Sequence, residues 1–107
     1  MVEETIVAAV RRYLAALPQI GLYPRRAILY GSFARGKERQ YSDVDIVVIA
    51  PEFDSVRDIE LVERLWQATQ YGDNRIEPIA CGEVDWETDG RRPIIEIARR
   101  EGVVIEA

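Results

Sequence analysis

Apolar positions Ile6, Val10, Tyr13, Leu14 and Leu17 recur at helical spacing and predict a first helix over residues 2–17, stopped by Pro18. Pro18, Gly21 and Pro24 punctuate a connection, after which Ala27–Tyr30 reads as a short strand running into Gly31. Phe33–Gly36 reads as a tight loop or the first turn of a helix. From Asp43 to Ala50 the pattern becomes an unbroken apolar run, the mark of a strand buried on both faces, and Pro51 ends it. Ser55 and Asp58 form a short-acid capping box for a helix whose apolar face is Ile59, Val62, Trp66 and Thr69, ending near Gly72. Arg75–Ala80 is a third strand, and Pro78, which has no N–H to donate, assigns it to a sheet edge. Residues 82–92 are polar, contain Gly82 and Gly90, and read as a loop. Pro93 and Gly102 bracket a last helix with Arg99 and Arg100 at its end, and Val103–Ile105 adds a closing strand. The pattern is α/β: a small mixed β-sheet flanked by helices.

Composition narrows the setting. The 107 residues suit one domain, residues 1–107, and hydrophobic content of 48% with charged content of 31% is that of a soluble globular chain. No apolar run approaches the ~20 residues that span a bilayer. Glu3 and Glu4 occupy the place of a signal peptide's positive start, so a cytoplasmic protein is expected. A single cysteine excludes an internal disulfide, and the lack of histidine removes both the usual zinc ligand and the commonest general base. That cysteine, Cys81 at a strand end, reads as buried and inert.

A net charge of −5 argues against direct nucleic-acid or anionic-membrane binding. Its distribution adds a detail. Between Arg25 and Gln40, the basic residues Arg25, Arg26, Arg35, Lys37 and Arg39 outnumber the one acid, Glu38. Positive charge gathered there suits either a small bound anion or a solvated loop.

The chemistry lies in two short stretches. Asp43 and Asp45, two apart at the start of the apolar strand, project to one face and repel one another unless a proton or cation intervenes. A divalent cation such as Mg²⁺ prefers hard oxygen ligands of this kind. The Gly31-Ser32 turn supplies a complement: backbone that can approach a phosphate closely, with a hydroxyl beside it. Glu77, in the middle of the third strand, is the available third acid, able to ligate a second metal and to accept a proton from an attacking hydroxyl. Read by itself, Glu77 is equally an ordinary acid on an exposed strand face.

Gly31-Ser32-x-Ala34-Arg35-Gly36, a polar loop, and Ser42-Asp43-x-Asp45 followed by β-branched residues resemble the DNA polymerase β-like nucleotidyltransferase superfamily. Within it the chain looks most like the minimal nucleotidyltransferases, from the first helix to the closing Glu101-Gly102-Val103-Val104 segment. The resemblance implies the polymerase β-like nucleotidyltransferase fold and Mg²⁺, two ions per site, as cofactor. It implies that Asp43, Asp45 and Glu77 are catalytic metal ligands, and that Gly31, Ser32, Arg35 and Ser42 bind the nucleotide. One departure stands out: the third acid of the family is usually Asp, and Glu77 reaches about 1.5 Å further, one C–C bond. The reaction implied is in-line attack of a hydroxyl on the α-phosphorus of ATP, with pyrophosphate leaving.

Nearly every predicted element is needed for the sheet and its covers, so another molecule must bring the acceptor. The resemblance points the same way, because minimal nucleotidyltransferases pair with helical HEPN-domain toxins. It implies an antitoxin that transfers AMP from ATP to a tyrosine of a HEPN ribonuclease, within a hetero-oligomer. Two other readings stand beside it: an antitoxin that neutralises by binding alone, and the catalytic subunit of a small-molecule nucleotidyltransferase. Trp86, Tyr71 and Tyr41 are candidate docking aromatics, with Trp86 equally suited to covering the sheet. Trp66 is assigned to the core, and Tyr30 to packing under the Gly31 turn.

Overall fold

Period-two alternation along the strands divides the core into two layers in the computed structural model, which describes residues 3–36, 42–54, 59–88 and 92–107. The elements are α1 (Glu4–Ala16), β1 (Arg26–Tyr30), β2 (Val44–Ile49), α2 (Ile59–Gln67), β3 (Ile76–Cys81), α3 (Glu83–Thr88), α4 (Pro93–Glu101) and β4 (Val103–Glu106). The strands form one mixed sheet in the order β3-β2-β1-β4. β1 runs antiparallel to β2 and β4, and β2 runs parallel to β3. The Pro78 strand is at an edge, as its missing N–H requires.

One face of the sheet, through Leu29, Ile46, Val48, Ile76 and Ile105, packs with Ile6, Val10, Tyr13 and Leu14 of α1 and Leu65 of α2. The other face, through Ile28, Val47, Ile49 and Cys81, packs with Ile95 and Ala98 of α4, joined by half-buried Tyr30, Ile79 and Trp86. The unbroken apolar run of β2 therefore serves both layers. Burial of each such side chain is worth about 1.5–3 kcal/mol. Cys81 is buried, as expected, and its thiol donates to the Gly82 carbonyl at 3.4 Å. No helix among the described residues is long and apolar enough to cross a membrane.

Two expectations are corrected. On α2 the apolar face is not Ile59, Val62, Trp66 and Thr69. Leu65 and Ala68 are buried, whereas Ile59 is 71% and Trp66 44% exposed. The helix carries two stripes at helical spacing, and Leu61–Leu65–Ala68 is the one turned to the core. It is fixed there by Tyr13, whose hydroxyl donates to the Leu65 carbonyl at 2.6 Å. Just beyond, Gly72 passes so close to Ala9 and Tyr13 of α1 that a β-carbon would lie 2.8 Å from each.

The second correction concerns residues 82–92, expected as a loop, where Glu83–Thr88 forms α3. Its ends are satisfied from distant parts of the chain. Asp54 accepts the Val84 N–H at 2.9 Å, and Arg99 donates to the Asp85 and Trp86 carbonyls at 3.1 and 2.6 Å. The Arg99 guanidinium also lies over the Trp86 ring, 5.6 Å from its centre, so this tryptophan covers the sheet. The Ser55/Asp58 cap, Tyr41, Lys37 and Arg39 lie outside the described residues.

The two stripes of α2 separate experimentally. Leu65→Ala is expected to cost about 2–4 kcal/mol in urea unfolding, while Trp66→Ala costs under ~1 kcal/mol. Equal losses would contradict the packing described.

Candidate functional site

β1 ends at Tyr30, and the chain turns through Gly31 with φ +77°, a conformation glycine adopts without strain. The turn closes on itself: the Arg35 N–H donates to the Gly31 carbonyl at 3.1 Å, and Gly36 leaves it with φ +68°. Phe33 is buried and pins the turn to the core, with the Arg75 guanidinium 5.7 Å over its ring. Ser32 is half-buried on this turn, and Ser42 is half-buried at the approach to β2.

Glycine at position 31 is required a second time. A β-carbon there would lie 2.5 Å from the Asp45 carboxylate oxygen, so the turn's backbone is packed directly on that acid. Asp45 is the second residue of β2, and the strand register sets it beside Tyr30 on β1 and Glu77 on β3. The register puts Glu77 on the same face of the sheet as Asp45, close enough for its carboxyl to raise the proton affinity of Asp45. Asp43 was expected as the first strand residue; it lies just ahead of β2 and is exposed, close enough to Asp45 to repel it. Among the described residues no three acidic side chains close into a ready-made cation cage.

Burial, the charges of Glu77 and Asp43, and the hydrogen bond with Glu77 push the Asp45 carboxyl up to about 6, against a downward pull from Arg35. Below about pH 6 Asp45 holds a proton; above it the ionised carboxyl is held at a cost beside Glu77, and hard oxygen ligands of this kind suit a divalent cation. Tyr30 is pushed up to about 12 by burial and then by Asp45 and Glu77, so its phenol stays protonated beside them. It packs into the α4 layer beneath the turn, as expected. The Arg35 guanidinium meets Glu101 at the end of α4 at 3.3 Å. No local pattern foretold Glu101, because it lies 66 residues further along the chain.

Two outcomes test this geometry. Above pH 6 an ionised Asp45 is costlier in the folded protein than in the unfolded chain. In chelator, Asp45→Asn is therefore expected to unfold about 1 kcal/mol later than wild type at pH 8, allowing for solvent screening, with the gain fading through pH 6 to nothing near pH 4. A gain that is constant with pH contradicts the carboxyl pair. Gly31→Ala combines a strained φ with a collision at Asp45 and should cost about 2 kcal/mol in denaturant unfolding; a neutral effect contradicts the close approach.

The arrangement has relatives. A crystal structure of a candidate nucleotidyltransferase from Sulfolobus solfataricus superposes with a TM-score of 0.51 at 14% identity, over 97% of this chain and 87% of that one. A toxin–antitoxin structure with AMP-PNP superposes with a TM-score of 0.50 at 19% identity, over 87% of this chain and 69% of that one. At these identities the likeness is one of fold. No curated protein matches the chain. The family model of the nucleotidyltransferase domain matches residues 10–89, a span that takes in the Gly31 turn, both aspartates and Glu77. On that match the chain belongs to the nucleotidyltransferase domain family.

Proposed function

We propose that this nucleotidyltransferase is the antitoxin of a toxin–antitoxin pair, transferring AMP from ATP to a tyrosine of a HEPN ribonuclease toxin. The observation that carries the reading is the Asp45–Glu77 pair in register across β2 and β3, with the Gly31 backbone packed on Asp45. In this reading Asp45 and Glu77, with Asp43 beside them, hold Mg²⁺. A bound divalent cation supplies charge neutralisation for the triphosphate and lowers the pKa of the attacking hydroxyl.

The chain's own groups do the rest. The Gly31 backbone and the Ser32 hydroxyl cradle the phosphates, and Ser42 lines the approach. Arg35, half-exposed on the same turn, neutralises phosphate oxygens. Glu77 accepts the proton of the acceptor hydroxyl. Holding the α-phosphorus, the acceptor oxygen and the acids in one place is the larger part of the rate enhancement. The described helices and strands all serve the two core layers, so the acceptor hydroxyl comes from a second molecule. The toxin–antitoxin neighbour supports a toxin as that molecule. Tyr71, 53% exposed, and the outward Trp66 are aromatic side chains open to such a partner.

The test is intact-mass and peptide analysis of the protein that co-purifies with this chain, after incubation of the two with ATP and Mg²⁺. The expected product is the partner carrying AMP on a tyrosine. Asp43→Asn with Asp45→Asn should lower transfer by at least ~10²-fold while leaving the fold intact. Toxin neutralisation without any mass change would assign the protein to inhibition by binding, and AMP on a small molecule would assign it to small-molecule modification.

A further inference from the structure

Arg35 stands between two rival acids. Its backbone N–H is held by the Gly31 carbonyl, which fixes where its side chain leaves the turn. From there Nη1 reaches Oε2 of Glu101 at 3.3 Å, while the same guanidinium is near enough to Asp45 to stabilise its charge. The two acids differ in their surroundings: Asp45 lies beside Glu77 in the sheet, and Glu101 pairs with Arg35.

Glu101 is presented from a fixed point. It is the last residue of α4, whose Ile95 and Ala98 are buried against the sheet and whose Arg99 clasps α3. The next residue, Gly102, donates to the Ala98 carbonyl at 2.8 Å. Gly102 also lies so tightly under Ile28 that a β-carbon would collide with it. The carboxylate is therefore tied to β1, the strand that delivers the Gly31 turn.

A half-exposed ion pair of this kind adds little to stability. Its effect is on where a long, rotamer-rich side chain spends its time. The contact uses one of the five N–H donors of the guanidinium, which leaves others for anionic oxygens. Without it, the attraction of Asp45 would draw Arg35 onto the acid pair. There it would take the place of a cation and lose its reach toward phosphate.

We propose that Glu101 is a positioning residue for the nucleotide: its ion pair with Arg35 holds the guanidinium beside the Gly31–Gly36 turn, apart from Asp45 and Glu77 and ready for triphosphate oxygens. The inference rests on the nucleotide reading of the turn. Its consequence is that an acid 66 residues further along the chain improves binding of an anion, opposite to the simple repulsion between two negative charges.

The experiment is calorimetric titration of AMP-PNP with Mg²⁺ into wild type, Glu101→Gln, Glu101→Asp, Arg35→Gln and the Arg35→Gln/Glu101→Gln double variant. Glu101→Gln is expected to weaken binding about three- to five-fold, the size of an exposed charge pair, with Glu101→Asp recovering part of the loss. In the Arg35→Gln background the Glu101 change should have no further effect. Unchanged or tighter binding by Glu101→Gln, or an equal loss in both backgrounds, overturns the positioning role. Absence of AMP-PNP binding by wild type overturns the nucleotide reading itself and this inference with it, an outcome separable from the others because it precedes any substitution.

Discussion

Asp45 and Glu77 face each other because β2 and β3 run parallel and in register, and everything else at the site is arranged around that repulsion. Two carboxyl groups held in adjacent strands, with partial burial, need a positive charge between them. Burial and the neighbouring acids push Asp45 up to about 6, so a proton fills that need only below that pH. A fold that keeps such a pair is less stable near neutral pH than one with amides in its place. The pair is thus kept at the expense of the fold.

The surroundings limit how that strain can relax. Gly31 places backbone against Asp45, so the acid cannot swing toward the turn. Arg75 ties the pieces together: its carbonyl accepts the Val44 N–H at 2.8 Å, its guanidinium covers Phe33, and Asp73 holds that guanidinium at 2.8 Å. The turn after β1, the start of β2 and the start of β3 are therefore joined through one residue. The Gly31 turn and the strand ends that carry the acid pair are thereby tied to one another.

The strands and their burial were legible because they obey a single period. Pro51 and Pro78 marked an end and an edge, and Pro93 and Gly102 bracketed α4. The acids were legible because Asp-x-Asp after a Gly-Ser turn is a local pattern. What failed was long-range. The stripe Ile59, Val62, Trp66 and Thr69 matches helical spacing as well as Leu61, Leu65 and Ala68, and only the Tyr13 hydroxyl on α1 decides between them. α3 looked like a loop because its caps come from Asp54 and Arg99, neither of which is a neighbour in sequence. Glu101 escaped notice for the same reason.

The same distinction explains why the reactive residues gather where they do. Tyr30 is the last residue of β1, while Asp45 and Glu77 are each second in their strands, so all three sit at one end of the sheet. There the apolar cover of α4, centred on Ile95 and Ala98, gives way to the Gly31 turn. Deeper in the sheet, buried Val47 and half-buried Ile79 occupy the same face against apolar neighbours, where an acid would lack a polar partner. One step outside the strand, at Asp43, the carboxylate is exposed and its charge is screened. Only the terminal register position gives both a rigid backbone and a partly dry environment. The sheet's register therefore sets the raised proton affinity of Asp45.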